Sequence, residues 1–565
     1  MRKIALTALF ALTVLAVCSA QPAAKNTPAT PLNVLTWRND NGLTGQNLKE
    51  TILTPTNVNV NTFGKLFSYP VDGNIYAQPL YSQSVAIPGK GTHNVVYVAT
   101  ENDTVYAFDA DSATLNPTPL WQTALTNPPN VVAYPCLDNH KACTIYPVIG
   151  ITGTPVINRA TQTIYLVART KEVVEGNSNP FYFERLHALN MRTGAEMPGS
   201  PVTICGDYAH TGQGCQFNTG IFDPLADGQR PGLLREPTPG FPQGVIYIAF
   251  AGQGMVLAYD PTTLARLADW TATPTPMNTT GGGGIWSGLS GDAKGNVFVA
   301  VGDGTFDANI GGNNFGDSIV KLNLVSNGSG GYNLQVMDYF TPPDEACRQT
   351  TDIDLGSGAP VLLPPQPGSV PDLIVIAGKG SVPGCDTANP IYLVNADNMG
   401  GLGGGVQTIA GTAAKGYYSS AGYFNTGIKT NIYLGGVASS TTGDSFRQFQ
   451  MTNGLFSPTQ SVSKSVGLYN AGATPSISAN ATKNGLLWTI ERPEVLWNET
   501  GVDLAVLHAY PATNLHTELY NSNMNATRDQ AGPATKFQVP TVVNGKVYVG
   551  TQTELDVYGL CPCPQ

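Results

Sequence analysis

Asn94 to Ala110 reads NVVYVATENDTVYAFDA. Val96 and Val98 alternate with Tyr97, Val105 and Ala107 alternate with Tyr106 and Phe108, and the polar segment Thr100 to Thr104 lies between the two runs. Short β-branched and aromatic runs with period-two alternation, parted by a polar turn, predict a hairpin. Variants of this unit recur along the chain. Recurrence of one small β unit predicts radial repetition, and a β-propeller if the units close into a ring.

Read outward from that hairpin, the copies are Val95 to Asp109, Thr163 to Asn190, Gly244 to Asp260, Asn296 to Leu322, Asp372 to Asn395, Asn431 to Phe449, Gly485 to Tyr510 and Gly545 to Tyr558. Pro79, Pro155, Pro360, Pro475 and Pro540 precede five of them, at places suited to a strand's first residue, where no ladder donor is missed. The expectation is one all-β propeller over residues 34–560 with four-stranded antiparallel blades. Eight copies predict eight blades, or seven if the weakest, Asn431 to Phe449, is an insertion. Gly64 to Tyr69 reads as an N-terminal strand that pairs with the last blade and removes two exposed edges.

Composition supports this reading. The 565 residues include 63 Gly and 42 Pro with only 12% charged residues, a usage that suits strands and tight turns rather than long amphipathic helices. Residues 1–20 carry Arg2 and Lys3, an apolar run from Ile4 to Val17 and the small-residue end Cys18-Ser19-Ala20, which predicts a secretory signal rather than a membrane span. A rival reading lipidates Cys18. Residues 21–33 read as a flexible leader and residues 561–565 as a tail. Without Arg2 and Lys3 the basic count falls from 29 to 27 against 39 acids, a net charge of about −12. With no basic run, a nucleic-acid surface is not expected.

Eight cysteines remain after the signal, an even number for an exported chain. Cys136 with Cys143 and Cys205 with Cys215 are spaced for loop disulfides, and Cys347 with Cys385 ties a longer segment. His140 and His210 lie inside the two short loops, but disulfides are favoured there over zinc. Cys561-Pro562-Cys563 brackets a single proline, so a bridge within it is strained and pairing elsewhere stays open.

The two-strand unit ending in Tyr-Ala-hydrophobe-Asp, followed by Trp121 after Asp109 and Trp270 after Asp260, resembles the repeat of the pyrroloquinoline-quinone (PQQ) propellers, and the spacers 292–317 and 352–358 resemble a bacterial secreted subgroup. The resemblance implies tryptophans that dock neighbouring blades. For PQQ-dependent alcohol dehydrogenases it also implies a quinone between a tryptophan floor and two adjacent bonded cysteines, a Ca²⁺ or lanthanide ion on carboxylates and amides, and an aspartate base. This chain has no Cys-Cys pair and no Cys-x-x-Cys-His haem segment. Sugar dehydrogenases with PQQ also lack the adjacent pair.

Candidate metal ligands are Asp303, Asp307 and Asp317 in a glycine-rich spacer and Asp352 with Asp354, which share one face if their stretch is extended. The competing role for such acids is Asx-turn formation. Trp286 is the candidate stacking platform for a cofactor, against a blade-packing role. Gly281 to Gly284 lacks a dinucleotide fingerprint, and no Gly-x-Ser-x-Gly elbow or His-Glu-x-x-His helix occurs. No catalytic residue is assigned. The leading functional expectation is a secreted or cell-surface binding or scaffold module for a protein or polysaccharide partner. The alternatives are a dehydrogenase of alcohols or sugars with PQQ and Ca²⁺, and an outer-membrane assembly lipoprotein anchored at Cys18.

Overall fold

The computed structural model describes residues 32–112, 117–139, 143–176, 179–208, 215–219, 221–252, 254–274, 282–380, 389–439, 442–462, 467, 472–492 and 503–561. The chain forms a β-propeller. In the founding hairpin, strand Gly91–Ala99 pairs antiparallel with Thr104–Asp109, Tyr97 opposite Ala107 and Val95 opposite Asp109. Asp103 takes the left-handed conformation at φ 57°, which lets Thr100 N–H reach Thr104 O at 3.0 Å and turns the chain in three residues. Leu80–Ile87 and Trp121–Ala124 flank the hairpin and complete a four-strand meander.

The same meander recurs in every copy read from the sequence. The first strands are Leu80–Ile87, Val156–Asn158, Leu234–Thr238, Ser290–Gly291, Val361–Leu362, Gly422–Asn425, Ser476–Asn480 and Thr541–Val543, each followed by two more of its own sheet. The copy with the weakest sequence signal is complete, running Gly422–Asn425, Thr430–Gly435, Phe446–Thr452 and Leu455–Val462. The last sheet takes its fourth strand from the beginning of the chain: Phe63–Pro70 lies antiparallel to Glu554–Leu560. That pairing closes the ring as the sequence predicts and covers the edge of Glu554–Leu560, with Phe63–Pro70 as the outermost strand of the sheet.

Tyrosines outside the Tyr-Ala-hydrophobe-Asp motif tie neighbouring sheets together. A buried tyrosine of one sheet donates its hydroxyl to a backbone carbonyl at or just beyond the third strand of the next: Tyr69 to Asp109 O (2.6 Å), Tyr97 to Met191 O (2.9 Å) and Tyr165 to Pro261 O (2.8 Å), with Tyr433 on Ala512 O. Trp121 joins Tyr97 by donating Nε1–H to Met191 O at 3.2 Å, and Trp270 lies 6.0 Å from Phe315 in the following sheet's loop. These two tryptophans therefore dock adjacent sheets. Apolar clusters fill the gaps between sheets, one of them running from Val557 through Val96 to Leu166.

A second N-terminal device lies on the axis. Val34 pairs with Tyr81; Leu35 O accepts from Ile157 N (2.8 Å); Asn41 Nδ2 donates to Arg235 O (3.0 Å) and Asn41 O accepts from Gly291 N (2.8 Å). Gly42 O accepts from Leu362 N (2.9 Å), Thr44 O from Tyr423 N (3.0 Å) and Gly45 O from Ile477 N (2.7 Å), before Asn47 Nδ2 donates to Val542 O (2.9 Å). Residues 34–47 thus bond to each of the meander sheets in chain order. Arg38, Asn39, Leu43 and Gly45 have positive φ, the tight curvature this path requires. Arg38 is fully buried, donates from Nη2 to Ala421 O at 2.6 Å, and is pulled down to about 9 by burial, with Asp40 opposing.

Cys136–Cys143 and Cys205–Cys215 are bonded. Cys347 and Cys561 are also disulfide-bonded; Cys385 and Cys563, like His140 and His210, lie outside the described residues, as do the signal segment and Cys18. Among the described residues no helix is long and apolar enough to cross a membrane.

Candidate functional site: an axial cavity

The turns that lead into the first strands converge on the axis. Thr154, Gly232, Gly288, Ser420, Thr474 and Phe537 each precede such a strand by a few residues, and all line one cavity of about 540 Å³. Its floor is the N-terminal segment, through Trp37. A Cβ on Gly288 would lie 2.1 Å from the Trp37 ring and one on Gly232 2.7 Å from Trp37 Cβ, so both positions are glycine because the indole rests on them. A second cavity of about 250 Å³ shares Arg230, Trp286 and Thr144 with the first and reaches Asp303.

Trp286 is half-buried and faces both cavities. Its ring presses on Gly302, where a Cβ would stand 2.1 Å from Cζ3, and Gly302 N–H donates to Gly284 O at 2.9 Å. This contact ties the tryptophan loop to the loop that carries Asp303.

Three of the five candidate acids meet here. One carboxylate oxygen each from Asp303, Asp352 and Asp354 lies within 4.8 Å of the other two. Asp303 N–H donates to Asp354 Oδ1 at 2.9 Å. Lys379 Nζ contacts Asp352 Oδ1 at 2.7 Å, forms a still shorter ion pair with Asp354, and sits 5.7 Å from the centre of the Trp286 ring. Asp352 and Asp354 do not share a face of an extended stretch. Asp352 has φ 53° and its side chain is 80% exposed, whereas Asp354 is buried and opens the turn Leu355–Ser357. They converge because Lys379 gathers them.

The other two candidates have different places. Asp317 is buried beneath the cluster, where Oδ1 accepts from Leu355 N–H at 2.8 Å and so positions the turn after Asp354. Burial holds its carboxyl well above the usual range. Asp307 stands apart and closes its own loop, accepting from Asn314 N (2.8 Å) and Nδ2 (2.7 Å). That is the Asx-type role.

The environments of the acid pair diverge. Burial, and then the Asp354 carboxylate, push Asp303 up to about 7. Asp354 is more deeply buried, yet Lys379 and the hydrogen bonds from Asp303 outweigh burial and hold it below its ordinary value. Near neutrality one carboxyl is therefore anionic and the other is poised to take or give a proton.

Sequence reading missed Lys379 and Arg230. Each is a single basic residue between turn formers next to an axial strand, Gly378-Lys379-Gly380 after Leu373–Ala377 and Gln229-Arg230-Pro231 before Leu234–Thr238. Arg230 has its guanidinium carbon 4.1 Å from the centre of the Phe537 ring and makes no contact ion pair among the described residues, while the Glu101 carboxylate acts on it through charge. Burial lowers it to about 10, so it stays charged at neutral pH.

The residues fit a planar anionic quinone, because an aromatic wall, an unpaired guanidinium and an ammonium share one cavity. They do not fit Ca²⁺ equally well. The donors are oxygens of the kind a hard cation takes, but the ammonium of Lys379 already contacts two of the three carboxylates.

No family model matches this sequence, and no curated protein matches it. Among solved structures, a quinohemoprotein alcohol dehydrogenase from Comamonas testosteroni superposes with a TM-score of 0.57 at 14% identity, covering 94% of this chain and 82% of that one. The C-terminal WD40 domain of Sif2 gives a TM-score of 0.43 at 8% identity, covering 90% of this chain and 99% of that domain. The first of these likenesses supports the propeller fold.

Proposed function

We propose that this is an eight-bladed, exported PQQ-like propeller whose axial cavity binds a planar quinone and oxidises an alcohol or sugar. The observation that carries the reading is the meeting of Trp286, Asp303, Asp354 and Lys379, from four separate loops, where two adjoining cavities share the Trp286 ring. The two bonded cysteine pairs and the overall likeness to a quinohemoprotein dehydrogenase are consistent with it.

In this reading Trp286 is the stacking wall and Arg230 receives a ligand carboxylate. A quinone, when bound, supplies the two-electron acceptor. Asp303 takes the substrate hydroxyl proton, its affinity raised to the range where a general base works at neutral pH. Asp354 stays ionised against Lys379 and holds Asp303 through the 2.9 Å bond to its backbone.

The test is direct. Purified full-length protein is mixed with PQQ and assayed for retained quinone absorbance and for alcohol or glucose oxidation with an artificial electron acceptor. Stoichiometric retention with turnover that Asp303→Asn abolishes supports the proposal. Retention without turnover returns the protein to the binding-module reading, which the missing Cys-Cys pair favours. No retention at high micromolar quinone removes the dehydrogenase reading.

A further inference from the structure

We propose that the Lys379 ammonium is the resident counter-ion of the Asp303, Asp352 and Asp354 carboxylates, and that the axial cavity takes a planar, carboxylate-bearing ligand without a divalent metal. The ligand part rests on the preceding reading of the cavity. The counter-ion part stands on geometry alone.

Three carboxylates with oxygens inside 4.8 Å of one another repel and need a positive charge among them. The structure places Lys379 there, 2.7 Å from Asp352 and closer still to Asp354, with its backbone N–H fixed to Asp354 O at 3.1 Å. The lysine is not a mobile surface group: its side chain is 25% exposed and runs beside Trp286. An incoming Ca²⁺ would have to expel this ammonium or accept a unit positive charge at contact distance, and it would still find only three protein carboxylates toward the six to eight oxygens it takes.

The second observation is Arg230. It presents to the same cavity a guanidinium that makes no contact ion pair among the described residues, stacked on Phe537, with the Glu101 carboxylate acting on it only at longer range. Lys379 offsets part of the acids' charge and leaves Arg230 for a ligand anion. The cavity therefore already holds the charge that a metal would bring.

Terbium, read by tryptophan-sensitised emission, tests the counter-ion part in the full chain with no organic ligand present. The wild type is expected to show no sensitised site at micromolar Tb³⁺. Lys379→Met, which removes the charge and keeps the length, is expected to gain one, at least about 100-fold tighter, the scale of a unit charge at contact distance. The emission should vanish in Lys379→Met combined with Trp286→Phe, and Lys379→Arg should gain nothing. Micromolar Tb³⁺ binding by the wild type that Trp286→Phe abolishes would overturn the proposal, and so would no gain in a folded Lys379→Met.

The ligand arm reads PQQ retention by the wild type with and without EDTA, and by an Arg230→Leu variant whose melting temperature matches the wild type. Retention unchanged by EDTA and lost in Arg230→Leu is expected. Retention that EDTA abolishes and Ca²⁺ restores overturns the metal-free site. If PQQ is retained under neither condition while the terbium results hold, the quinone reading fails and the lysine's role as counter-ion stands.

Discussion

Asp303 donates its backbone N–H to Asp354 Oδ1 at 2.9 Å, so the two acids are fixed to each other through main chain as well as charge. The charged groups facing Asp303 are Asp354, Asp352 and Lys379, with Asp317 below. Replacing Asp354 by Asn removes the nearest negative charge and leaves burial in place. Asp303 should then titrate below its present value of about 7 but above an ordinary aspartate, as read by ¹³C-carboxyl NMR. No movement would mean that burial alone sets the value.

The protein should be most stable on the acid side of neutrality. Burial pushes Glu184 and Glu236 up to about 8 from an ordinary 4.5, and Asp556 up to about 7 from 3.8. Each group keeps its proton to higher pH folded than unfolded. Between about pH 4 and 8 the folded chain thus binds more protons, and stability falls as pH rises. His508, bonded to Glu491 and Glu518 and raised above 6.5, adds with the same sign, because its contribution is present below 6.5 and lost above its folded value. Melting temperature should decline from pH 5 to pH 8.5, and Glu184→Gln should flatten that slope. A rising profile would contradict the assignment.

Tyr97→Phe should cost about 1 kcal/mol, the usual net worth of one buried hydrogen bond. The loss is moderated because Met191 O keeps the 3.2 Å bond from Trp121 Nε1. Tyr165→Phe strips Pro261 O of the only side-chain donor described for it and should cost at least as much. Urea unfolding of the two variants measures the difference.

Gly288→Ala drives a methyl to 2.1 Å from the Trp37 ring. The indole must move, so the substitution should destabilise by about 1–3 kcal/mol and perturb tryptophan fluorescence. Gly240→Ala is the contrasting case. It has open space around the added carbon, so any cost there comes from its φ of 85° alone and should leave the fluorescence unchanged.

How much of this could be read beforehand divides along periodicity. Val95 to Asp109 alternates with period two and ends in the aspartate turn, so the repeat and the closing strand at Gly64 to Tyr69 were legible. Trp286 and Asp303 were visible as residue types suited to a site. Their convergence with Lys379 was not, because 93 residues separate Trp286 from Lys379 and no spacing rule spans loops of different sheets. Asp307 and Asp354 look alike in sequence, each an acid near glycine. Only the fold shows that one closes its own loop and the other faces a lysine. The path of residues 34–47 left no signal either, since each of its bonds goes to a different sheet and imposes no repeat on Trp37-Arg38-Asn39-Asp40-Asn41.

That path bears on how the molecule is born. Val34 meets Tyr81 early, but Asn47 bonds to Val542 O and Phe63–Pro70 pairs with Glu554–Leu560, so the end of the hub and the outer strand find their partners only when residues near 550 exist. A growing chain must carry its hub partly filled, and the outer strand Phe63–Pro70 unpaired, until Glu554–Leu560 is made. The ring cannot mature blade by blade into a finished state; the earlier sheets wait, and the end of the chain releases the beginning into place.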